Sequence, residues 1–276
     1  MEHTEEQEKS LWEQVLEQYA QQDNSVVTRN LLVLGQRGSG KSSVVAKLKG
    51  DAAPSVSLPG FGLEYTYMDV PEEETGDIVA RSNIWVLEGD EDHRHLLKFA
   101  LSEKNLPSSV AIVCLDFSRP WTLESSLLKW LELLEDHINS LSPTDLGLKD
   151  RLRKHSIASY QSYKEPEENA AAPKREIPSR AFLMAYMHEP DKELLPLDDD
   201  VLSHSLGIPV IVAVCKTDLV DYLKKEYDYR DTHFSFISQR LRRICMKYGA
   251  SLLYCAAKKN LNSNVLQELV EKALFG

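Results

Sequence analysis

The apolar run Leu31-Leu32-Val33-Leu34 is followed by a glycine-rich stretch and then by Ser43-Val44-Val45-Ala46-Lys47-Leu48, whose apolar positions gather on one helical face. A buried strand, a loop and a helix are predicted in that order. Ahead of them, Leu11, Trp12, Val15, Leu16 and Tyr19 recur at helical spacing and mark a leading helix that packs on the domain. Strand patterns return at Leu63–Val70, Asn83–Leu87, Val110–Leu115, Ile208–Cys215 and Ser251–Cys255. Helices are predicted between them, from about His95, over Trp121–His137, Leu148–Tyr163 and Phe234–Met246, and finally over Asn264–Leu274. In the Trp121 helix the buried face is Leu123, Leu127, Trp130, Leu131 and Leu134, with Pro120 in its first turn. Residues Lys164–Arg180, rich in Pro, Glu, Ala and Lys without a period, read as an exposed linker, and Asp198-Asp199-Asp200 as a solvated segment. Strands alternating with helices predict an α/β fold: a mostly parallel, six-stranded sheet with helices on both faces and an extra N-terminal helix. Residues 1–26 are expected as a helical extension and 27–276 as the main domain, with a divergent, partly flexible insertion at about 143–200.

The loop after the first strand, Gly35-Gln36-Arg37-Gly38-Ser39-Gly40-Lys41-Ser42, fits the phosphate-binding pattern G-x-x-x-x-G-K-[ST] at every position. Glycines let backbone N–H groups turn inward around a phosphate. Lys41 would neutralise phosphate charge, and the Ser42 hydroxyl, followed by Ser43, would ligate Mg²⁺ at a helix N-terminus. The chain is therefore expected to have a P-loop NTPase fold.

Charge narrows the partners. The 276 residues carry 32 Lys and Arg against 43 Asp and Glu, a net charge of −11, which argues against a sequence-independent grip on nucleic acid or an anionic membrane. No apolar stretch approaches a spanning helix. The start, Met1-Glu2-His3-Thr4-Glu5-Glu6, is the opposite of a signal peptide's basic, then apolar, opening, so a cytoplasmic location is expected. Four cysteines, Cys114, Cys215, Cys245 and Cys255, lie in apolar runs without C-x-x-C spacing and read as buried reduced thiols.

In a G protein, a carboxylate after a late strand accepts two donors from the guanine edge. Lys216-Thr217-Asp218 supplies that acid and the lysine before it, although Cys215 stands where the N-K-x-D pattern has Asn. One strand later, Cys255-Ala256-Ala257-Lys258 sits where small GTPases carry S-A-K, nominating Ala257 and Lys258. Each match is either a base contact or an ordinary charged strand end. The catalytic parts are poorer. Glu88 in Leu87-Glu88-Gly89-Asp90-Glu91 is the candidate acid for Mg²⁺, but Gly89 is out of register with D-x-x-G and no glutamine follows. Asp90, Glu91 and Asp92 beside a γ-phosphate favour GDP, or an empty site, over GTP. Thr66 either mimics a switch threonine or is a plain strand residue, and His93 and His95 read as part of a solvated loop rather than a metal pair.

A family resemblance rests on longer blocks. These are the P-loop, Gly62-Leu63-Glu64-Tyr65, Trp85 to Asp90, Leu97-Lys98-Phe99, Arg119-Pro120-Trp121-Thr122, Leu206 to Val210, Lys247 to Ala250 and, above all, Glu226-Tyr227-Asp228-Tyr229-Arg230-Asp231-Thr232-His233-Phe234-Ser235-Phe236-Ile237. With them, the chain resembles the dynein light intermediate chain family from about Leu11 to Gly276. That resemblance implies a degenerate Ras-like G domain in a non-catalytic subunit of a microtubule motor. It would dock on the dynein heavy chain tail and link it to cargo adaptors for minus-end-directed transport, with any guanine nucleotide structural. The family's adaptor-binding tail would lie beyond Gly276, so direct adaptor contact is not expected of these residues. Exposed aromatics around Tyr227 and Tyr229, or the Trp121 helix, are candidates for the docking face, while core packing is the favoured reading of both Trp121 and Trp130. A genuine switch GTPase is the alternative.

Overall fold

The computed structural model describes residues 27–50, 62–71, 78–88, 91–141, 147–162 and 194–275. Their strands are β1 (Val27–Gly35), β2 (Gly62–Pro71), β3 (Ile78–Glu88), β4 (Ser109–Asp116), β5 (Val210–Cys215) and β6 (Ser251–Tyr254). They form one six-stranded sheet in the order β2-β3-β1-β4-β5-β6. Only the β2–β3 pair is antiparallel, so the expected mostly parallel sheet is present. The helices are α1 (Lys41–Leu48), α2 (Leu97–Ala100), α3 (Leu123–Ser140), α4 (Leu148–Ser162), α5 (Val220–Glu226), α6 (Asp231–Tyr248) and α7 (Ser263–Phe275).

The runs Leu31–Leu34 of β1, Val110–Leu115 of β4 and Val210–Cys215 of β5 are apolar without interruption because both faces of the sheet are covered. Leu31 and Val33 of β1 join one core with residues of α1 and α7, whereas Leu32 and Leu34 join the other with residues of α2, α3, α4 and α6. In β4 the same period-two division sends Ile112 and Cys114 to one layer and Val113 and Leu115 to the other. Trp130 is 1% exposed in the larger core, as its position on the apolar face of α3 requires. At the sheet margin the β2–β3 pair is held by facing side chains. Tyr65 lies against Trp85, ring centroids 4.7 Å apart, and Arg81 Nε donates to Asp69 Oδ1 at 2.6 Å.

Several boundaries differ from the sequence expectation. The helix expected from about His95 is a 3₁₀ turn over Glu91–Leu96 followed by the single turn α2, so His93 and His95 lie in a 3₁₀ helix and not in a loop. The helix expected from Trp121 begins at Leu123, after a 3₁₀ turn over Pro120–Thr122 that proline's fixed φ suits. As a result Trp121 is 56% exposed and is not a core residue. α6 starts three residues before Phe234 because the Arg230 N–H donates to His233 Nδ1 at 3.1 Å and caps it; Gly249, at φ 68°, ends it. α5 was not anticipated; its one fully buried side chain, Leu223, leaves too little period to read. Thr66 is a β2 residue whose hydroxyl accepts from Lys49 Nζ at 3.2 Å. The leading helix, the Lys164–Arg180 linker and residues Gly89 and Asp90 lie outside the described residues.

Candidate functional site

Every described candidate residue comes from the C-terminal ends of the parallel strands, the turns and loops that follow them or the first turn of α1, where open α/β sheets bind ligands. Gly35 ends β1 at φ 146°, and a Cβ there would collide with the Cys114 carbonyl. Gly40, at φ 106°, packs so close to Cys215 that a Cβ would lie 3.2 Å from its sulfur. These two glycines let the loop lie directly on β4 and β5. The turn between them is closed by the Ser39 N–H donating to the Gln36 carbonyl at 3.1 Å, with Arg37 and Gly38 exposed at its tip.

Gly40 caps α1 without any side-chain hydrogen bond, and the first turn holds no acid, so the helix N-terminus keeps backbone donors and positive potential for an anion. Lys41 is 3% exposed, and its ammonium donates to the carbonyls of Gly35 at 2.9 Å and Gln36 at 3.0 Å. A Glu88 carboxylate oxygen lies 3.5 Å from the same nitrogen. The Ser39 hydroxyl is buried with no hydrogen-bond partner among the described residues, and the exposed Ser42 and half-buried Ser43 open α1. A buried lysine, an orphaned hydroxyl and a glycine loop seated directly on two strand ends suit a phosphate chain.

The base-recognition candidates converge on the neighbouring strand ends. Thr217 donates to the Cys255 carbonyl through both its N–H at 3.3 Å and its hydroxyl at 3.1 Å, joining the Lys216–Asp218 turn to the Cys255–Lys258 loop. Ala256 pairs with Leu261 in an isolated bridge that bends this loop back, leaving Ala257 half-buried and Lys258 exposed. Asp218 is half-buried and has no hydrogen-bond or ionic partner among the described residues.

Cys215 stands behind Gly40 with Cys255 Sγ 3.9 Å from its sulfur. A hydrogen bond with Cys114, together with burial, pushes the Cys215 thiol well up, and a hydrogen bond with Cys215 does the same for Cys255. Burial takes Cys245 to about 12. All four cysteines are free and buried, and these shifts keep Cys215, Cys245 and Cys255 protonated and unreactive.

One functional candidate was missed in the sequence. Asp116, at the end of β4, is 8% exposed, and its carboxylate accepts from Lys216 Nζ at 2.8 Å. Burial raises its pKa, but the bonds from Lys216 and Ser118 outweigh burial and hold it below the usual carboxylate range. A single acid closing an all-apolar strand run was the available signal.

A second feature lies away from the loop. A groove of about 400 Å³ between the start of α3 and the start of α6 is lined by Trp121, Glu124, Tyr227, His233, Phe236 and Arg240. Phe236 is 61% and Tyr227 52% exposed. The Trp121 and Tyr227 rings are 6.0 Å apart, and Arg240 forms a two-point pair with Glu124 at 2.7 and 3.2 Å.

A family model described as dynein light intermediate chain matches residues 6–276. Among named relatives, cytoplasmic dynein 1 light intermediate chain 1 of Rattus norvegicus is 35% identical over 269 residues, 97% of this chain and 50% of the relative. The protein of that name from Dictyostelium discoideum is 36% identical over 299 residues, covering 98% of this chain and 59% of its own length. A crystal structure of a dynein light intermediate chain's conserved domain shares the fold, with a TM-score of 0.65 and 22% identity over 90% of this chain and 74% of that one. This chain thus spans about half the length of the relatives it matches. On the family match over nearly its full length, the chain belongs to the dynein light intermediate chain family.

Proposed function

We propose that this chain is a non-catalytic accessory subunit of the cytoplasmic dynein motor, working in the cytoplasm on microtubules. It docks on the dynein heavy chain tail, and a guanine nucleotide, GDP in preference to GTP, stabilises its fold. The observation that carries this reading is the family match over residues 6–276. The groove beside α6 supports docking: its aromatic rings are exposed although each could bury a large apolar area, the property that makes aromatic side chains interface anchors. Its occupant in this reading is the heavy chain tail. In this reading the subunit links the motor to cargo adaptors.

The nucleotide part of the proposal draws on the loop. Gly35 to Gly40 would wrap the phosphates, Lys41 would neutralise them, and Asp218, with Ala257 and Lys258 alongside, would receive the base. A bound nucleotide would supply negative charge to the α1 N-terminus and to Lys41 in competition with Glu88, and Ser42 and Glu88 are the residues that could hold an accompanying Mg²⁺. Its effect would be stabilisation by mass action, not turnover. The absence of a glutamine after Glu88 supports the non-catalytic reading.

The switch GTPase reading draws on the intact P-loop and the approach of Glu88 to Lys41. Denaturing the purified protein and counting released nucleotide, then repeating with Lys41→Ala alongside a heavy chain tail binding assay, tests both. Near-stoichiometric GDP in the wild type, lost in Lys41→Ala while tail binding persists, supports the structural ligand. Turnover of GTP, or tail binding that follows the nucleotide state, supports the switch.

A further inference from the structure

We infer that Asp116 is the positioning residue that fixes Lys216 for base recognition, and so helps the site prefer a guanine nucleotide over a bare phosphate anion. The inference rests on the nucleotide-binding reading above. Asp116 ends a strand in which every residue is buried, and its own side chain is 6% exposed. One carboxylate oxygen accepts from Lys216 Nζ at 2.8 Å, the other accepts the Ser118 N–H at 2.9 Å, and the Arg119 guanidinium stands 3.8 Å away. Rotating this carboxylate in either direction breaks a charge-assisted bond.

Lys216 itself has φ 63°, a left-handed conformation uncommon for a lysine, which persists only where surrounding contacts fix it. Those contacts come from both neighbouring strands. The Phe117 N–H donates to the Cys215 carbonyl at 3.0 Å on one side, and Thr217 is bonded to Cys255 on the other. The backbone of the turn is therefore held between β4 and β6, while Asp116 holds the end of the lysine side chain. A free lysine would lose its rotamer freedom when a base arrived beside it; this one has lost it already, which favours binding.

The same pair divides labour within the site. Lys216 is neutralised by Asp116, so it adds little to the attraction of phosphate, which falls to Lys41 and the α1 N-terminus. Asp218, two residues on and without a partner among the described residues, is left to receive the base. Loss of Asp116 should therefore weaken GDP but not pyrophosphate.

The test is a titration with a fluorescent GDP analogue, with unlabelled GDP and pyrophosphate as competitors. It uses the wild type, Asp116→Asn, Lys216→Gln and the double variant. Each single change is expected to weaken GDP about tenfold, the loss of one charged hydrogen bond, with pyrophosphate affinity unchanged. The double variant should be no weaker than the poorer single one, because both remove the same contact. Unchanged GDP affinity in Asp116→Asn, additive losses, or equal losses for GDP and pyrophosphate would overturn the inference. Should Asp116→Asn not fold, the half-exposed Lys216 makes Lys216→Gln the deciding variant. A wild type that binds neither ligand would instead remove the nucleotide reading itself, and this inference with it.

Discussion

The Lys41 ammonium lies 3.5 Å from a Glu88 carboxylate oxygen, with the two side chains 2% and 13% exposed. Two backbone carbonyls take the lysine's other donors, so the charge inside the loop is compensated by the protein itself. An incoming phosphate must share Lys41 with Glu88 or displace it.

That competition sets the sign of one prediction. Glu88→Gln removes the competing charge, so in the presence of a chelator GDP should bind about tenfold tighter. The ligand-free protein should lose about 1–3 kcal/mol of stability, because a nearly buried lysine is left undercompensated. Calorimetric titration with GDP and urea unfolding measure the two effects. Weaker GDP binding without Mg²⁺ would contradict the competition.

The aromatic groove gives a second. Trp121→Ala combined with Phe236→Ala should weaken binding to a heavy chain tail fragment by at least about thirtyfold, as loss of interface anchors does. Stability should change by less than about 1 kcal/mol, since both rings are more than half exposed. Pull-down titration beside thermal unfolding separates docking from folding, and unchanged tail affinity would exclude this face.

Trp130 provides the contrast within the same region of chain. Trp130→Ala should cost about 3–5 kcal/mol by opening a large cavity in the core under α3. Trp130→Phe should cost less, since the indole N–H has no hydrogen-bond partner to lose among the described residues. Denaturant midpoints at constant slope measure both.

Acid should act through Asp116. Its folded pKa is held below the unfolded value near 3.9, so the unfolded chain binds the proton first. The pair with Lys216 therefore contributes fully above about pH 4, and its contribution is lost as pH falls through the folded pKa. Urea titrations from about pH 6 to about pH 3 should show wild type losing more stability than Asp116→Asn, with the two converging in acid. Parallel curves would mean that the pair contributes nothing.

The sequence by itself determined the strand-loop-helix around Lys41, the six strands and the buried faces of the long helices. Each of these is written in local periodicity or in a glycine pattern that only a few backbone conformations satisfy. It also nominated Glu88, Lys216 and Asp218 from their places at strand ends. Tertiary structure decided what no local pattern carries. The helical period already places Trp130 in the core, but only the 3₁₀ turn before α3 sets Trp121 on the surface. Asp116 and Lys216 are a hundred residues apart and become partners only because β4 and β5 are neighbours in the sheet. The groove exists because the starts of α3 and α6 meet across a comparable gap in the chain. Strand order and helix crossing are set by how the whole core closes, so contacts between strand ends and helix starts could be read only after the fold was complete.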